Sequence, residues 1–261
     1  RVPAAQNNGT VSPAVVTALL AVGIFVLGGV LFTVSRSSRS RKPGRSKDRA
    51  AAIRDANRAL SQNPKDAGAL STLANAYYED QEWEKAARMY GLLSDLVATN
   101  PDLDEHLITL RHGLASMQIG DYQNAYKSLT LARRDHADLF EINYNLGQLE
   151  FKRKNYEKAA SLLRAAQEKR PDHLGTAKYL GQAYFRLKRH RDSISLLKRV
   201  VEAEPDDKES TFHLGQAYYE AGQSDQALRV FGHLRADPAY GPRASLMAGS
   251  LHLKSRLYDE A

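Results

Sequence analysis

The side chains with which enzymes most often do chemistry form no recognisable constellation in this sequence. Cysteine is absent, which excludes disulfide bonds, thiolate metal sites and a cysteine nucleophile. The eight histidines are scattered, and the nearby pair His106 and His112 is six residues apart, so the two cannot share one helix face. No glycine-rich phosphate loop, HExxH or GxSxG motif occurs. We therefore expect a protein that is not an enzyme and holds neither a cofactor nor a metal ion.

Side chains that could bind a polypeptide recur at a fixed interval. Phe151, Phe185 and Tyr219 are equally spaced, and three glutamines have the same spacing: Gln148, Gln182 and Gln216. Aromatic rings can anchor a bound peptide, and amides can hydrogen-bond its backbone. The alternative, which the sequence leaves open, is that the aromatic residues only pack the repeat. Three other residues occupy the matching aromatic place: Tyr78, Met117 and Leu253.

The helices that must position these side chains recur at the same interval. Leu-Gly-Gln occurs three times, beginning at Leu146, Leu180 and Leu214, so the step between successive copies is constant. Around the second copy, apolar residues follow the i, i+3, i+4, i+7 spacing of a helix from Ala177 to Tyr184. After a turn at 188–190, the spacing recurs from Ser193 onward. Small residues, such as Gly181 and Ser193, predict a close approach of the two helices.

These features resemble the tetratricopeptide repeat family, as do the segments GDYQNA at 120–125 and GQAYY at 215–219. A repeat length of about 34 residues is characteristic of that family. The resemblance covers residues 66–261, as five full units and a truncated sixth, with a capping half-repeat helix at 50–65 before them. It implies an all-α fold, in which antiparallel helix pairs stack into a right-handed superhelical solenoid.

The sequence departs from the family pattern in two places. Ser116 replaces the usual aromatic residue in the second unit, and about five extra residues lie around Val97–Glu105. Because the sixth unit stops midway, we expect the natural chain to continue or another chain to cover this end.

In this family the first helices line a concave groove, so the recurring aromatic and amide residues become candidates for a protein-binding groove. Lys178 and Arg243 are candidates for contacting an acidic group there. At the edge formed by the turns, basic residues cluster in the third and fourth units and predict one positive patch. It could bind an acidic protein surface or lipid heads, although solvated loop charge is the alternative. The residues are Lys152, Arg153, Lys154, Arg186, Lys188, Arg189 and Arg191.

The N-terminal region predicts a membrane anchor. Residues 14–34 are uncharged and apolar, and as a helix they would span roughly 31 Å, close to the thickness of a bilayer core. The basic linker that follows, at 35–49, places that flank in the cytoplasm by the positive-inside rule and could contact anionic lipid. Residues 1–13 would then be a short extracytoplasmic segment. We expect a single-pass protein, of the bacterial inner membrane, with the repeats in the cytoplasm or alternatively in the periplasm.

Charge argues against nucleic acid as the ligand. The net charge is +7, but residues 1–49 hold eight basic residues and one acidic residue, which leaves 29 of each sign in the remainder. The sequence thus predicts a membrane-anchored scaffold or adaptor that binds proteins and organises a complex. A receptor or chaperone for transported polypeptides and a structural subunit of a secretion or motility assembly are the alternatives. Self-association is a further possibility.

Overall fold

The computed structural model describes residues 43–259, which form twelve α-helices and no strand. The sequence predictions for 1–13, for the span at 14–34 and for the first part of the linker at 35–49 lie outside these residues. Among the described residues, no helix is both long and apolar enough to cross a bilayer. The helices are α1 Pro43–Gln62, α2 Ala67–Glu79, α3 Trp83–Leu96, α4 Glu105–Gln118, α5 Tyr122–Ala132, α6 Phe140–Lys152, α7 Tyr156–Lys169, α8 Leu174–Arg186, α9 His190–Ala203, α10 Lys208–Glu220, α11 Ser224–Leu234 and α12 Gly241–Asp259.

The helices from α2 to α11 pair into five two-helix units, and α12 follows them. Unit 1 is α2 and α3, unit 2 is α4 and α5, unit 3 is α6 and α7, unit 4 is α8 and α9, and unit 5 is α10 and α11. The helices of each unit contact each other, and the second helix of every unit contacts the first helix of the next. The first helices also contact one another directly, α4 with α6, α6 with α8 and α8 with α10. The first helices of units 2 to 5 therefore form one continuous surface.

Helix α1 begins at Pro43, within the segment that the sequence assigned to the linker. Proline favours this position because its ring fixes a helical φ and the first helical N–H needs no partner. Residues from Ile53 onward belong to one compact unit, and the beginning of α1 belongs to another. Within the larger unit, Ala56 of α1 is buried with Ala69 and Leu73 of α2.

Side-chain caps fix where several first helices begin. The carboxylates of Asp66, Asp104 and Asp207 accept hydrogen bonds from backbone amides three residues later, at 2.8, 2.9 and 3.0 Å. In α8 the ring nitrogen Nδ1 of His173 takes this role toward the amide of Thr176 at 3.0 Å. Each cap satisfies an amide that the helix itself cannot pair.

Glycine allows the two helices of a unit to approach closely. A Cβ placed on Gly147 would lie 2.6 Å from Cγ of Leu163, and one on Gly215 would lie 2.5 Å from Cε1 of Phe231. In both units the residue closest to the glycine is a large residue of the second helix. It follows the small residue of that helix by one turn. Gly249 of α12 has the same register, but nothing lies within 4 Å of the corresponding position.

The extra residues between units 1 and 2 form a short connection. A 3₁₀ turn at Val97–Thr99 extends α3, and an irregular loop continues to the cap residue Asp104. The step from unit 1 to unit 2, from Ala74 to Gly113, is therefore longer than the next step, from Gly113 to Gly147.

Candidate functional site

The recurring aromatic residues form a row along the first helices, and each contacts the next unit. The ring centroid of Phe151 lies 5.8 Å from that of Tyr179, and the Phe185 centroid lies 6.5 Å from that of His213. The hydroxyl of Tyr219 lies 3.1 Å from Oγ of Ser250. All three aromatic residues are half-buried. They therefore pack neighbouring units together, while part of each side chain stays accessible to solvent.

Tyr78, the matching residue of unit 1, is held in a polar network. Its ring lies 5.3 Å from that of Trp83, and the guanidinium of Arg111 lies 5.3 Å above it. Arg111 also donates to Oδ1 of Asn75, which accepts a further bond from the hydroxyl of Tyr90 at 2.8 Å. Burial raises the pKa of Tyr78. Arg111 therefore links the first helices of units 1 and 2.

The three glutamines have different surroundings. Gln148 hydrogen-bonds the hydroxyl of Tyr144, and Oε1 of Gln216 lies 3.0 Å from Nδ1 of His213. Gln182 is 5% exposed, and its buried Nε2 has no hydrogen-bond partner among the described residues. A uniform amide stripe for a bound backbone is therefore interrupted at unit 4.

Lys178, predicted as a candidate for contacting an acidic group, forms ion pairs within the array. Its ammonium group lies 2.9 Å from the carboxylate of Asp207 and 2.7 Å from that of Glu209. Burial lowers the pKa of Lys178, but hydrogen bonds and charge from these acids outweigh it and raise that pKa overall. Arg243 is exposed, and its guanidinium lies 4.4 Å from the ring centroid of Phe212.

The seven basic residues predicted as an edge lie in the turns between α6 and α7 and between α8 and α9, or at the helix ends beside these turns. Several cover tyrosine rings: Lys152 lies 4.6 Å from Tyr122, Arg153 lies 4.3 Å from Tyr126, and Arg186 lies 5.8 Å from Tyr156. Arg189 pairs with Asp192 at 2.7 Å. We call these seven residues the basic edge.

The positive charge of the basic edge is largely uncompensated. Among the described residues, Arg189 is the one member of the edge in an ion pair. The side chains of Lys154, Lys188 and Arg191 are exposed and make no polar or ring contact with other described residues. Elsewhere in the array some basic side chains pair with carboxylates, as Lys169 does with Asp138, and others, such as Arg134 and Arg164, form no ion pair among the described residues. Units 3 and 4 therefore carry a local positive surface on an array with no net charge.

Two lysines of the basic edge adopt an unfavourable backbone conformation. Lys154 has φ of 64° and Lys188 has φ of 59°, in the left-handed region. The equivalent turn positions in units 2 and 5 are Gly120 and Gly222, for which this conformation is easy. For a residue with a side chain, the left-handed conformation costs roughly 1–2 kcal/mol. We did not predict this strain from the sequence. The glycines at the same register in units 2 and 5 could have indicated it.

Beneath the basic edge, a buried carboxylate joins units 2 and 3. The Glu150 side chain is almost fully buried and accepts hydrogen bonds from Tyr126 at 2.8 Å and from Asn155 at 2.7 Å. Lys158 lies 2.5 Å from it. Burial raises the pKa of Glu150, but these three donors outweigh it and hold the pKa below its ordinary value. This site was not predicted from the sequence. It could have been found because unit 3 has a glutamate at the register where units 4 and 5 have Tyr184 and Tyr218.

Comparison with known proteins identifies the family. Models of the tetratricopeptide repeat match residues 44–101, 110–173, 150–210 and 184–251. These matches cover most of the chain, which therefore belongs to the tetratricopeptide repeat family. The array is a protein–protein interaction domain of a family that is typically not catalytic. Within the part of the chain that the structure describes, no group of three potential metal-ligating side chains occurs.

Solved structures share the fold at low sequence identity. One is YrrB, described as a TPR protein with an unusual peptide-binding site, which is 19% identical with a TM-score of 0.57 over 77% of this chain and 97% of YrrB. Two structures of MamA are each 19% identical with a TM-score of 0.54. They cover 68% and 71% of this chain and 94% and 96% of MamA. No curated protein matches the sequence.

Proposed function

We propose that this protein is a membrane-anchored scaffold that recruits an acidic partner protein through the basic edge. The observation that carries the proposal is the uncompensated charge of six of the seven edge residues. Like charges so close together repel one another, and a partner with complementary charge would relieve this repulsion while steering association.

The strained lysines support the same assignment. Glycine at positions 154 and 188 would avoid the left-handed penalty, yet both positions carry an exposed cation. Gln81, at the equivalent position of unit 1, has a φ of 61°, so the turn itself requires this conformation, and units 3 and 4 differ by placing a cation there. The tyrosines beneath Lys152, Arg153 and Arg186 hold these cations in place, which lowers the entropy lost when a partner binds.

The groove of first helices is a second binding surface. The partly exposed rings of Phe151, Phe185 and Tyr219 could accept apolar side chains of an extended or helical peptide. The peptide-binding site described for YrrB, a protein of the same fold, makes a peptide ligand reasonable here. We assign the groove to peptide recognition within the same complex. Arg243 borders it, whereas Lys178 is paired and serves packing.

Residues 14–34 supply the anchor in this proposal, and the basic linker at 35–49 lies beside the cytoplasmic leaflet. The apolar length supports a span, and the flanking charge supports a cytoplasmic array. A receptor for transported polypeptides would exchange many clients, whereas a structural subunit would have fixed stoichiometry.

Crosslinking in intact membranes, followed by mass spectrometry, tests the proposal. A photoreactive residue at position 191 should capture one acidic protein at constant stoichiometry, on the cytoplasmic side. The charge-reversal variant Lys154→Glu, Lys188→Glu, Arg191→Glu should lose this product when the photoreactive residue is placed at the exposed position 195 in the wild type and in both variants. A matched control, Arg134→Glu, Arg164→Glu, Arg229→Glu, changes exposed arginines elsewhere and should retain it. Equal capture by the two variants would refute the assignment.

A further inference from the structure

A cleft lined by both apolar and polar atoms lies between units 1 and 2, away from the basic edge. It has a volume of about 440 Å³ and is lined by α3 of unit 1 and by α4 and α5 of unit 2. This volume falls within the range of small-ligand sites. Its walls include Ala87, Ile119 and Leu131, and His112 and Ser116 contribute polar atoms.

At the cleft, unit 2 has a small polar residue where units 4 and 5 have a tyrosine. Three residues after the register glycine of the first helix, units 4 and 5 place Tyr184 and Tyr218. Tyr184 is 6% exposed and packs in the core with Ala160 of the preceding second helix. Unit 2 has Ser116 at this register.

The junction between units 2 and 3 shows a second way to fill the same space. Unit 3 also lacks a tyrosine at this register, having Glu150 instead. There Tyr126, from the second helix of the preceding unit, inserts its ring and donates its hydroxyl to the Glu150 carboxylate at 2.8 Å. A tyrosine phenol group therefore fills the space at the junction of units 3 and 4 and at that of units 2 and 3. It comes from the first helix of the following unit in the former case and from the second helix of the preceding unit in the latter.

At the first junction, both sources of the phenol are missing. With the longer step between units 1 and 2, the fully buried Ala86 aligns with Ala125, so the residue equivalent to Tyr126 is Ala87. Alanine replaces one tyrosine and serine replaces the other. Ser116 is 1% exposed, and its hydroxyl lines the cleft without a hydrogen-bond partner among the described residues. A buried hydroxyl without a partner costs free energy, as does an unfilled gap in packing.

His112 completes the polar floor. Its Nδ1 lies 3.0 Å from Oγ of Ser128, and Nε2 has no hydrogen-bond partner in the part of the chain that the structure describes. Burial lowers the pKa of His112, which favours the neutral ring. Beside the apolar wall of Ile119, which is 39% exposed, the floor offers both a ring contact and hydrogen-bonding atoms.

We propose that this cleft binds a tyrosine side chain of the partner protein, which supplies the phenol that the first junction lacks. The ring would lie against Ala87 and Ile119, and its hydroxyl would pair with Ser116, as Tyr126 pairs with Glu150. The inference rests on the proposed function in one respect, that the occupant belongs to a protein partner. The cleft chemistry itself can be tested without that partner.

The test is a titration of the full chain with N-acetyl-tyrosinamide, followed through the His112 Cε1–H NMR resonance. We expect a saturable shift with a dissociation constant on the order of 1 mM, since the probe is small. N-acetyl-phenylalaninamide lacks the hydroxyl and should bind about 2- to 10-fold more weakly. Free p-cresol should also bind, because it carries the same phenol. Binding of p-cresol without binding of N-acetyl-tyrosinamide would overturn the assignment to a protein side chain.

Two variants that fill the cleft and one control variant test whether the NMR shift arises from binding in the cleft. Ser116→Tyr and Ala87→Tyr restore the phenol from either side, so each should abolish the shift and raise the thermal midpoint of unfolding. Ser161→Tyr adds a tyrosine at an exposed position of α7 and should leave the titration unchanged. No shift in the wild type, or equal shifts in the filled variants, would overturn the proposal. Because these probes do not contact the basic edge, the outcome is independent of the charge-reversal experiment.

Discussion

Replacing the two strained lysines by glycine should stabilise the array. Lys154 and Lys188 have left-handed φ values of 64° and 59°. Removing the side chain relieves roughly 1–2 kcal/mol at each site. Glycine gives the unfolded chain more conformational freedom, which lowers the free energy of unfolding by about 0.5–1 kcal/mol. The net gain is about 0.5–1 kcal/mol per site, and the double variant Lys154→Gly, Lys188→Gly should gain about 1–2 kcal/mol, provided that the sites act independently.

The assay is urea unfolding of the full chain, followed by circular dichroism and by fluorescence of Trp83. The midpoint should rise with an unchanged slope, which distinguishes stability from a change in cooperativity. The reverse substitution, Gly120→Lys, is the control. Nothing lies within 4 Å of its Cβ position, so only the backbone conformation is tested. It should lose about 0.5–1 kcal/mol. An unchanged or lower midpoint in the double variant would refute the strain argument.

Three further predictions follow from packing and charge. Gly215→Ala should cost about 1–3 kcal/mol of unfolding free energy because its Cβ would overlap Phe231, whereas Gly249→Ala, in open space, should be neutral or stabilising; thermal unfolding compares them. Glu150→Gln should lose about 1–2 kcal/mol at pH 7. Because the folded pKa of Glu150 is depressed, its stabilisation exists above the ordinary pKa and is lost as pH falls through the folded value. The difference between wild type and variant should therefore shrink in urea titrations below about pH 4.3, and a constant difference would count against the network. Lys178→Met should reduce stability by about 1 kcal/mol and leave partner affinity unchanged, which a binding isotherm checks.

The helices and their pairing could be predicted because the repeat leaves a strong signal. The constant spacing aligns Gly147 with Gly181 and Gly215, and a close approach at one glycine implies the same at the others. The start of α1 was harder to place. A basic segment with Pro43 and Gly44 is typical of a linker, and its helical state depends on residues further along the chain.

Contacts between units could be predicted less well. The partner of Phe151 is Tyr179 and that of Phe185 is His213, so residues at one register differ in type and the periodicity does not reveal them. Pairing of Lys178 depends on Asp207, a helix cap in the next unit. Ser116 was visible as a departure, yet the empty junction becomes evident only when Ala87 is aligned across the longer step.

The basic edge was predictable because its members are adjacent in sequence within each turn. Their lack of carboxylate partners was not, since pairing depends on which acids the fold brings near. Glu157 lies close in sequence to Lys154 but forms no ion pair with it in the structure.

The most direct test of the proposed function is the salt dependence of partner affinity. The protein captured by crosslinking would be titrated into the wild type, the edge charge-reversal variant and the arginine control at increasing ionic strength. We predict that affinity for the wild type falls steeply with salt, that the edge variant binds roughly 10-fold or more weakly at low salt, and that the control follows the wild type. Equal affinity and equal salt dependence in all three proteins would contradict recruitment through the basic edge.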